Sequence, residues 1–409
     1  MNRSSKLVLV FVVVLVGGAT RSASASDCDL SRPEWLMCED FEGADAGWGD
    51  WFAASPFVEC KGCSDGSNDP DRITLSDASD HVYDGRFGLH MPALAGSEHQ
   101  GAELIFRTCD GDARPGCSLT GYETLYLRAR VRLAPDHEYV HHFLSIGGTQ
   151  PDRYWEAYGN AGCRPDGTRH VGATVDFNRD RELFFYTYFP EMRCDSGGYC
   201  SGDYAQSICD GCAERGMPCA GELECCWGNV FHPDPARVLP RGEWVCLEMM
   251  MHLNSPGSND GEMTVWLDDN LVHTVGGMRW REIGDLQLNR ANLSHYIARS
   301  DADRPNAISF DDVIVSTARI GCDLSSGPEP DGGVDADIPG RPDASPDADV
   351  DEPENPEDAD IPVNQDSSVP NSDADETVDS PGGTRGGCTV SAPTPLSGPL
   401  RRIVYRHAG

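Results

Sequence analysis

The clearest pattern along the chain is an alternation of apolar and polar side chains in several short segments. In residues 123–133 every second side chain is apolar, and this set is Leu125, Leu127, Ala129, Val131 and Leu133. The side chains between them are Tyr126, Arg128, Arg130 and Arg132. Successive side chains of a β-strand point to opposite faces, so this segment is predicted to be a strand with one face on a core.

Other segments show the same period. Residues 244–253 place an apolar set opposite a second face that carries Trp244, Glu248 and His252. Residues 183–189 place Tyr186 and Tyr188 on one side. Two strands joined by a hairpin turn at 268–270 are predicted within 262–275, and a closing strand is predicted at 308–316.

The number of such segments sets the expected fold class. No convincing amphipathic helix occurs between residues 27 and 322. Strands with one apolar and one polar face are typical of two antiparallel sheets packed on each other. We therefore predict an all-β domain over residues 27–322, an antiparallel β-sandwich or jelly roll.

The first residues have the composition of an export signal. Arg3 and Lys6 precede the apolar run Leu7–Val16, and small residues at 22–25 offer a cleavage site. A run of about ten residues is too short to cross a bilayer as a helix. Residues 1–25 are therefore predicted to be a signal peptide, and the protein is expected to be secreted or held at the cell surface.

Acidic residues are concentrated after the predicted domain. The formal net charge is −35, and residues 327–384 hold eighteen Asp or Glu against one Arg. Because few large apolar side chains offset chain entropy there, residues 323–387 are predicted to be a disordered acidic linker. Its Asp-Ala-Asp repeats lack the glycine turns of a calcium-binding repeat, so no metal is expected. Residues 388–409 form a C-terminal tail.

The chain has 17 cysteines, which fits export because disulfides persist in oxidising compartments. Sixteen lie between Cys28 and Cys322, and seven of these cluster from Cys194 to Cys226. The cluster has little else that is apolar, so residues 194–226 are predicted to be a disulfide-stapled insertion between strands. The pairs at 60/63 and 209/212 have zinc-like spacing, but the lack of paired knuckles favours disulfides.

The segment Arg241–Arg281 contains five features in a fixed order. They are a Gly-x-Trp strand, a Leu-Asn-x-Pro-Gly turn, an Asn-Asp-Gly turn, a Trp-x-Asp hairpin and an Arg-aromatic-Arg strand. This order resembles the concanavalin A-like jelly-roll polysaccharide lyases that cut alginate and glucuronan. Ala129–Gly148 resembles a long strand of that family, and Cys38–Trp48 and Ser309–Ser316 resemble its first and last strands. The resemblance covers most of residues 36–320.

The resemblance implies a concave face that carries a Lys, an Arg and a Tyr-x-Tyr pair for β-elimination without a cofactor. Tyr186-Thr187-Tyr188 matches the tyrosine pair, and the roles of base and acid stay open between Tyr186 and Tyr188. His142 stands where the family has Lys. Residues 172–174 stand where it has Ser-x-Arg, with Arg179 as a nearby candidate.

Charged strand faces supply further candidates. Arg128, Arg130 and Arg132 could bind carboxylates of an acidic polysaccharide, because Arg matches carboxylate geometry bidentately. Glu248 and His252 are further candidates for glycan contact, or partners for those arginines. Each candidate also has a purely structural interpretation. The arginines could be solvated, the tyrosine pair could only pack or stack on sugar, and His141 and His142 could form a polar pair.

The sequence thus predicts an exported, polysaccharide lyase-like protein that acts on an acidic, uronate-containing polysaccharide. A non-catalytic carbohydrate-binding or adhesive surface protein on the same fold is the alternative, and an envelope protein that uses its Cys-rich insertion is a third. No phosphate loop or nucleic-acid motif is visible, and the acidic chain excludes nucleic acid as an expected partner. Gly386-Gly387-Cys388 and the terminal arginines resemble a degenerate myxobacterial surface-sorting tail, which implies possible cell-surface attachment.

Overall fold

The computed structural model describes residues 27–29, 32–64, 67–93, 100–109, 117–138, 140–178, 180–192, 202–218, 227–297 and 306–324. The predicted signal peptide, nearly all of the acidic linker, the C-terminal tail and Arg179 lie outside these ranges. So does part of the predicted Cys-rich insertion.

Strands dominate the described residues. They are β1 Trp35–Glu39, β2 Phe57–Lys61, β3 Cys63–Ser64, β4 Ser67–Asn68, β5 Thr74–Ser76, β6 Gly88–Ala93, β7 Gln100–Arg107, β8 Thr124–Leu133, β9 Val140–Thr149, β10 His170–Phe177, β11 Leu183–Thr187, β12 Asn229–Phe231, β13 Trp244–His252, β14 Gly261–Leu267, β15 Asn270–Met278, β16 Arg290–Ile297 and β17 Asn306–Ser316. Two α-helices accompany them, α1 Trp48–Ala54 and α2 Gly202–Glu214.

The strands form two large antiparallel sheets. Sheet 1 has the order β15-β14-β13-β8-β17-β6-β5, and β1 also pairs with β17. Sheet 2 has the order β12-β11-β10-β9-β16-β7-β2. Neighbours in the sheets are often far apart in the chain, as when β8 lies between β13 and β17. The two sheets pack as a sandwich, which confirms the predicted fold class.

The apolar face predicted for β8 lines the core. Leu125, Ala129 and Val131 are each 0% exposed, and they pack with Leu144 and Val175 from sheet 2. Fully burying an aliphatic side chain contributes about 1.5–3 kcal/mol relative to leaving it in water, so these two inner faces hold the sandwich together. The polar faces of both sheets consequently point away from the core.

The predicted hairpin is present between β14 and β15. Leu267 pairs with Asn270 across the turn. Asp268 and Asp269 have φ values of 50° and 62°, the left-handed region that a two-residue hairpin turn of this type requires. Asp tolerates that region better than most residues because its short side chain hydrogen-bonds locally. The turn chemistry was therefore readable from the sequence.

The two helices are the departures from the predicted architecture. The segment 38–48 was expected to form the first strand, but β1 ends at Glu39, and 3-10 and α-helical turns follow. The Glu39 carboxylate explains this, because it accepts hydrogen bonds from the Phe41 backbone N–H and from Trp51 Nε1. In α2 the buried Cys212 and the partly buried Ile208 form only a narrow apolar stripe, which the sequence pattern does not reveal as a helix.

Disulfides are confirmed at five sites among the described residues. The pairs are Cys28–Cys38, Cys60–Cys63, Cys109–Cys117, Cys163–Cys212 and Cys246–Cys322. Cys209 is also disulfide-bonded. Both pairs with zinc-like spacing therefore consist of disulfide-bonded cysteines. This usage fits an oxidising compartment such as the cell exterior.

Candidate functional site

The outer face of sheet 2 carries a set of polar side chains that the strand register brings side by side. On β10, Thr174 and Asp176 alternate with core residues and therefore face outward. Thr174 pairs with Tyr186 of β11, and on the other side of β9 Tyr296 of β16 pairs with His142. Four strands that are scattered along the chain thus contribute to one surface.

The two predicted tyrosines are in direct contact. Tyr186 is near the end of β11 and Tyr188 is the first residue beyond it. The Tyr186 hydroxyl donates to the Tyr188 hydroxyl oxygen over 3.0 Å, and the two rings meet edge to face. Backbone N–H groups reach the same pair, from Gly228 to the Tyr186 oxygen at 3.2 Å and from Gly162 to the Tyr188 oxygen at 3.3 Å.

The environment keeps Tyr186 protonated at neutral pH. Burial is the largest cause and raises the pKa of Tyr186 well above its usual value, and the neighbouring Tyr188 raises it further. The N–H of Gly228 acts in the opposite direction but does not reverse the shift. Tyr186 therefore keeps its proton in the resting protein and can donate it to an atom that gains negative charge during a reaction.

His142 faces a buried carboxylate on the neighbouring strand. Its Nδ1 lies 3.5 Å from Oδ2 of Asp176, and the Asp176 side chain is 2% exposed. Burial opposes a charge on the His142 ring, but Asp176 outweighs burial and raises the pKa of His142. The ring also stacks on Tyr296, with centroids 5.6 Å apart, and lies 5.8 Å from the Tyr186 ring. This arrangement favours the imidazolium form of His142 beside the tyrosine pair.

A second cation lies on the same face. Arg290 of β16 pairs with Gly147 of β9, and Gly147 pairs with Gly172 of β10. The register of β10 and β11 sets Gly172 level with Tyr188. A Cβ on Gly147 would lie 3.4 Å from Nη2 of Arg290, so the guanidinium reaches over this glycine. The two glycines leave the surface between Arg290 and Tyr188 without side chains.

An ion pair extends this face toward the edge of sheet 2. Glu103 of β7 lies 2.8 Å from Nζ of Lys61 on β2. Burial alone would raise the pKa of Glu103, but Lys61 reverses the effect and the net shift is downward. The Glu103 charge also favours the protonated form of His142. Charges of both signs are therefore distributed along the whole face.

The segment 150–163 lies over the arginine end of the face. The hydroxyls of Tyr154 and Tyr158 both donate to Oε1 of Glu59, over 2.6 and 2.7 Å. Nη2 of Arg107 donates to the Tyr154 carbonyl over 3.0 Å, and its guanidinium lies 4.1 Å from the Tyr154 ring centroid. Tyr158 in turn lies beside Arg290, whose guanidinium is 5.6 Å from its ring centroid.

The predicted arginine set lies on the other sheet. Arg128, Arg130 and Arg132 project from the outer face of β8 in sheet 1, so they share no groove with the tyrosines. Arg128 is 0% exposed and forms an ion pair with Asp27 at 2.7 Å. Arg130 donates to the Cys322 carbonyl over 2.6 Å. These guanidiniums hold the two ends of the domain, which leaves them little freedom to bind a glycan.

Arg132, Glu248 and His252 also lie away from the tyrosines. Nε of Arg132 donates to the Gly242 carbonyl over 3.3 Å. Glu248 is 0% exposed, is the cross-strand partner of Arg128, and accepts the N–H of Ile320 over 2.7 Å. His252 contacts Thr124 Oγ1 over 2.7 Å. Of the predicted set, His142, Tyr186 and Tyr188 come together, and these others do not.

Four residues on this face, Glu103, Asp176, Arg290 and Tyr296, were not among the candidates predicted from the sequence. A signal existed for the two on β16, because polar residues at 290, 292, 294 and 296 alternate with Ala291, Leu293 and Ile297, a pattern that only His295 interrupts. That pattern predicts a strand with a polar face, but it does not predict which other strands lie beside it in the sheet. Among the described residues no cluster of His, Cys, Asp or Glu could hold a metal ion. Within the same ranges, no helix is long and apolar enough to cross a membrane.

Comparison with known proteins gives structural neighbours only. No family model and no curated protein matches the chain. The alginate lyase vAL-1 from Chlorella virus is 12% identical, with a TM-score of 0.45 over 69% of this chain and 100% of that chain. The PL-14 alginate lyase from Aplysia kurodai is 16% identical, with a TM-score of 0.43 over 64% and 91%.

A third neighbour is the endo-β-1,4-glucuronan lyase from the fungus Trichoderma reesei. It is 14% identical, with a TM-score of 0.38 over 69% of this chain and 96% of that chain. The three neighbours are lyases of acidic polysaccharides. Identities and TM-scores this low do not transfer an activity to this chain.

Proposed function

We propose that the protein is an exported, polysaccharide lyase-like enzyme that cleaves an acidic, uronate-containing polysaccharide by β-elimination. The observation that carries this proposal is the 3.0 Å contact between the Tyr186 and Tyr188 hydroxyls on the face that also holds His142 and Arg290. A pair of phenolic oxygens in contact, beside fixed cations, supplies what this reaction needs.

The chemistry sets three requirements. A cation or hydrogen-bond donor must neutralise the uronate carboxylate, which makes the proton on carbon 5 more acidic. A base must remove that proton. An acid must protonate the oxygen that leaves carbon 4.

Two side chains can meet the first requirement. Asp176 raises the pKa of His142 and so favours its cationic form, and Arg290 is a permanent cation on the same face. Gly147 and Gly172 add no side chain to the surface between Arg290 and Tyr188, and Gly172 is partly exposed, so we place the bound sugar ring over this surface. A uronate carboxylate bound by either cation would place its own ring over that surface.

The tyrosine pair meets the other two requirements. The Tyr188 oxygen accepts hydrogen bonds from the Tyr186 hydroxyl and from the Gly162 N–H, so its anion is stabilised and can act as the base. The C5–H bond breaks, its proton passes to the Tyr188 oxygen, and its electron pair forms the C4–C5 double bond. The C4–O bond breaks with its electron pair on oxygen, which takes the Tyr186 proton. Transfer of a proton from Tyr188 to Tyr186 along their hydrogen bond then restores the pair.

Glycan binding without turnover is the second candidate. Trp155 is 59% exposed and packs edge to face on Tyr154, next to the arginine end of the face. An exposed indole on a rigid support is typical of a surface on which a sugar ring stacks. His142 in place of Lys also departs from the lyase pattern. In this case the face would bind the polymer and release it unchanged.

The deciding experiment incubates the purified full-length protein with alginate, glucuronan and a neutral glucan. Release of unsaturated ends is followed by their ultraviolet absorbance, and polymer binding by affinity electrophoresis. We expect product from at least one uronate polymer and none from the neutral glucan. In Tyr188→Phe we expect kcat to fall by about 10²–10⁴-fold with binding retained.

The matched control is Tyr83→Phe, because Tyr83 lies in the loop before β6, is 39% exposed, and packs its ring on Arg130 of sheet 1. This variant should keep the wild-type rate. Binding of uronate polymers without any unsaturated product would refute the lyase proposal and support the glycan-binding one. Attachment to a cell surface through residues 388–409 stays a separate prediction, as does export.

A further inference from the structure

The Cys-rich insertion is joined to the segment that overhangs the candidate site. Cys212 of α2 forms a disulfide with Cys163, and both cysteines are 1% exposed. Met217 and Ile208 pack on this disulfide in a small cluster that is separate from the main core. The described part of the insertion therefore makes specific, buried contacts with residue 163 rather than lying free on the surface.

Two hydrogen bonds to backbone carbonyls reinforce the junction. The Arg164 N–H donates to the Pro218 carbonyl over 3.1 Å, and Arg169 Nη1 donates to the Arg215 carbonyl. These contacts join both sides of the 163–169 turn to the end of α2. Removal of the insertion would remove these two hydrogen bonds and the disulfide from this turn.

The opposite end of segment 150–163 is fixed independently. The Tyr154 and Tyr158 hydroxyls donate to Glu59 on sheet 2. The segment is thus held at one end by the sheet and at the other by the disulfide. The position of the residues next to Cys163 therefore depends on the disulfide that joins this segment to the insertion.

Gly162 is the neighbour of Cys163 in the chain, and its N–H reaches the site. It donates to the Tyr188 phenolic oxygen over 3.3 Å. Gly162 has a φ of 77°, which favours glycine, and the turn is closed by a hydrogen bond from the Cys163 N–H to the Asn160 carbonyl over 3.0 Å. The direction of the Gly162 N–H is therefore set by the same turn that the disulfide fixes.

We propose that the Cys-rich insertion is a positioning element for Tyr188, because the Cys163–Cys212 disulfide holds the Gly162 N–H against the phenolic oxygen. The inference rests on the proposed role of Tyr188 as the base. A donor fixed at this oxygen stabilises its anion, and a donor that moves with a free loop does not. The cysteine cluster then has a role in the site beyond the stability of its own loop.

Other groups around the tyrosine pair do not depend on the insertion. Tyr186 donates to Tyr188 from their own strand, and His142 of β9 and Asp176 of β10 lie beside Tyr186. Arg290 of β16 lies on the same face of the sheet. All four are carried by sheet 2, so they should keep their places when the disulfide is removed.

The test compares two full-length double variants. Cys163→Ala/Cys212→Ala removes the proposed positioning disulfide, and Cys246→Ala/Cys322→Ala removes one that joins β13 to the end of the domain on sheet 1. Each variant is prepared both with Tyr188 and with Tyr188→Phe. The difference between the two in tyrosinate ultraviolet absorbance during an alkaline titration then reports the ionisation of Tyr188. The readouts are that titration and, on a uronate polymer, kcat and KM as functions of pH.

We expect Cys163→Ala/Cys212→Ala to lower the ionisation constant of Tyr188, so that it ionises at higher pH, and to lower kcat at neutral pH. Each should fall by about 2- to 10-fold, the range of one net hydrogen bond. KM should change little, and the control disulfide variant should show neither effect. An unchanged Tyr188 titration in folded Cys163→Ala/Cys212→Ala protein overturns the inference. If the wild-type protein shows no lyase activity, the proposed function fails, while the titration still decides whether the disulfide positions the donor.

Amide hydrogen exchange gives a test that does not need the disulfide variant. The Gly162 amide of the wild-type protein should exchange more slowly than that of Tyr188→Phe, because the phenolic acceptor is missing in the variant. Equal exchange rates at Gly162 would show that the N–H does not bind Tyr188 in solution and would overturn the inference.

Discussion

Asp176 raises the pKa of His142 in the candidate site, although the Asp176 side chain itself is only 2% exposed. Burial raises the pKa of Asp176, and the adjacent His142 counteracts part of that rise. The carboxylate in turn raises the pKa of His142 against the effect of burial. The pair therefore keeps a positive charge on the outer face of sheet 2 to a higher pH than a free imidazole would. His142 was a candidate from the sequence, but its partner was not.

This coupling predicts a shift in the pH dependence of Asp176→Asn. A histidine with a raised pKa is charged below that pKa and loses its charge as the pH rises through it. The amide removes the cause of the rise, so the alkaline fall in kcat/KM should move to lower pH by about one unit or more. The measurement is kcat/KM against pH, with nuclear magnetic resonance titration of the His142 ring as a readout that does not need turnover.

The control for this variant is Asp152→Asn, because the Asp152 side chain is 81% exposed and pairs with Arg153 rather than with His142. Its pH profile should match the wild type. An Asp176→Asn profile and His142 titration that coincide with the wild type would show that the carboxylate does not hold the charge.

At the scale of single elements, an irregularity in β9 decides where His142 points. Strict alternation would place His142 on the same face as Leu144, which is buried in the core. The register of β9 shifts against both neighbours in this region, and both Phe143 and Leu144 are buried. An extra residue of this kind re-aims the side chains that follow it. The His142 ring consequently lies against Tyr296 on the outer face.

The glycines of β9 and β10 carry a prediction about the shape of the site. A Cβ on Gly172 would meet its nearest atom, the Ile146 carbonyl oxygen, at 3.4 Å, so a side chain is tolerated there. Gly172→Leu should therefore fold but fill the surface between Arg290 and Tyr188. We expect polymer binding to fall by about tenfold or more, the cost of losing 1.4 kcal/mol of contacts.

Gly276→Leu on β15 is the matched control, because a Cβ there meets nothing within 4 Å and the strand belongs to sheet 1. Binding is measured by affinity electrophoresis, and folding by thermal unfolding. Wild-type affinity in a folded Gly172→Leu variant would show that the glycan lies elsewhere.

At the scale of the whole molecule, the outer face of sheet 1 binds the ends of the domain. Asp27 pairs with Arg128, the Cys246–Cys322 disulfide fixes the other end, and Glu248 accepts the Ile320 N–H. The side chains that alternation predicted for a groove are used in these contacts. Strand alternation separates the two faces of a sheet, but it does not say whether the outer face is open or covered.

The last strand of sheet 1 predicts how stability depends on pH. Burial, together with Asp312, raises the pKa of Asp311 to about 8. Because this folded pKa is above the unfolded value, the stability it contributes is fully present below 3.8 and is lost as the pH rises to about 8. As the pH rises from 3.8 to about 8, the free energy of unfolding of the wild type should fall relative to that of Asp311→Asn.

Urea unfolding at a series of pH values measures this difference, with Asp152→Asn as the exposed control. The unfolding free energies of wild type and Asp311→Asn should diverge as the pH rises from about 4 to about 8, with the wild type becoming the less stable. Parallel curves over the whole interval would contradict a buried, protonated Asp311.

The sequence by itself determined features that depend on near neighbours in the chain. Alternation set the faces of β8 and β13, Asp268 and Asp269 marked the hairpin, and the cysteines indicated disulfides. The contact of Tyr186 with Tyr188 was also accessible, since residues two apart on a strand share a face. These properties follow from local backbone geometry, so no knowledge of the sheet order was needed.

Only the tertiary structure decided which of these faces meet. Arg290 and Asp176 join His142 because β16 and β10 flank β9, and no local pattern encodes that order of strands. The same holds for the Gly162 N–H, which reaches Tyr188 through a turn fixed by Cys163. Pairing between distant segments depends on register and on the packing of the whole core, so one strand face could be recognised in advance and its neighbours could not.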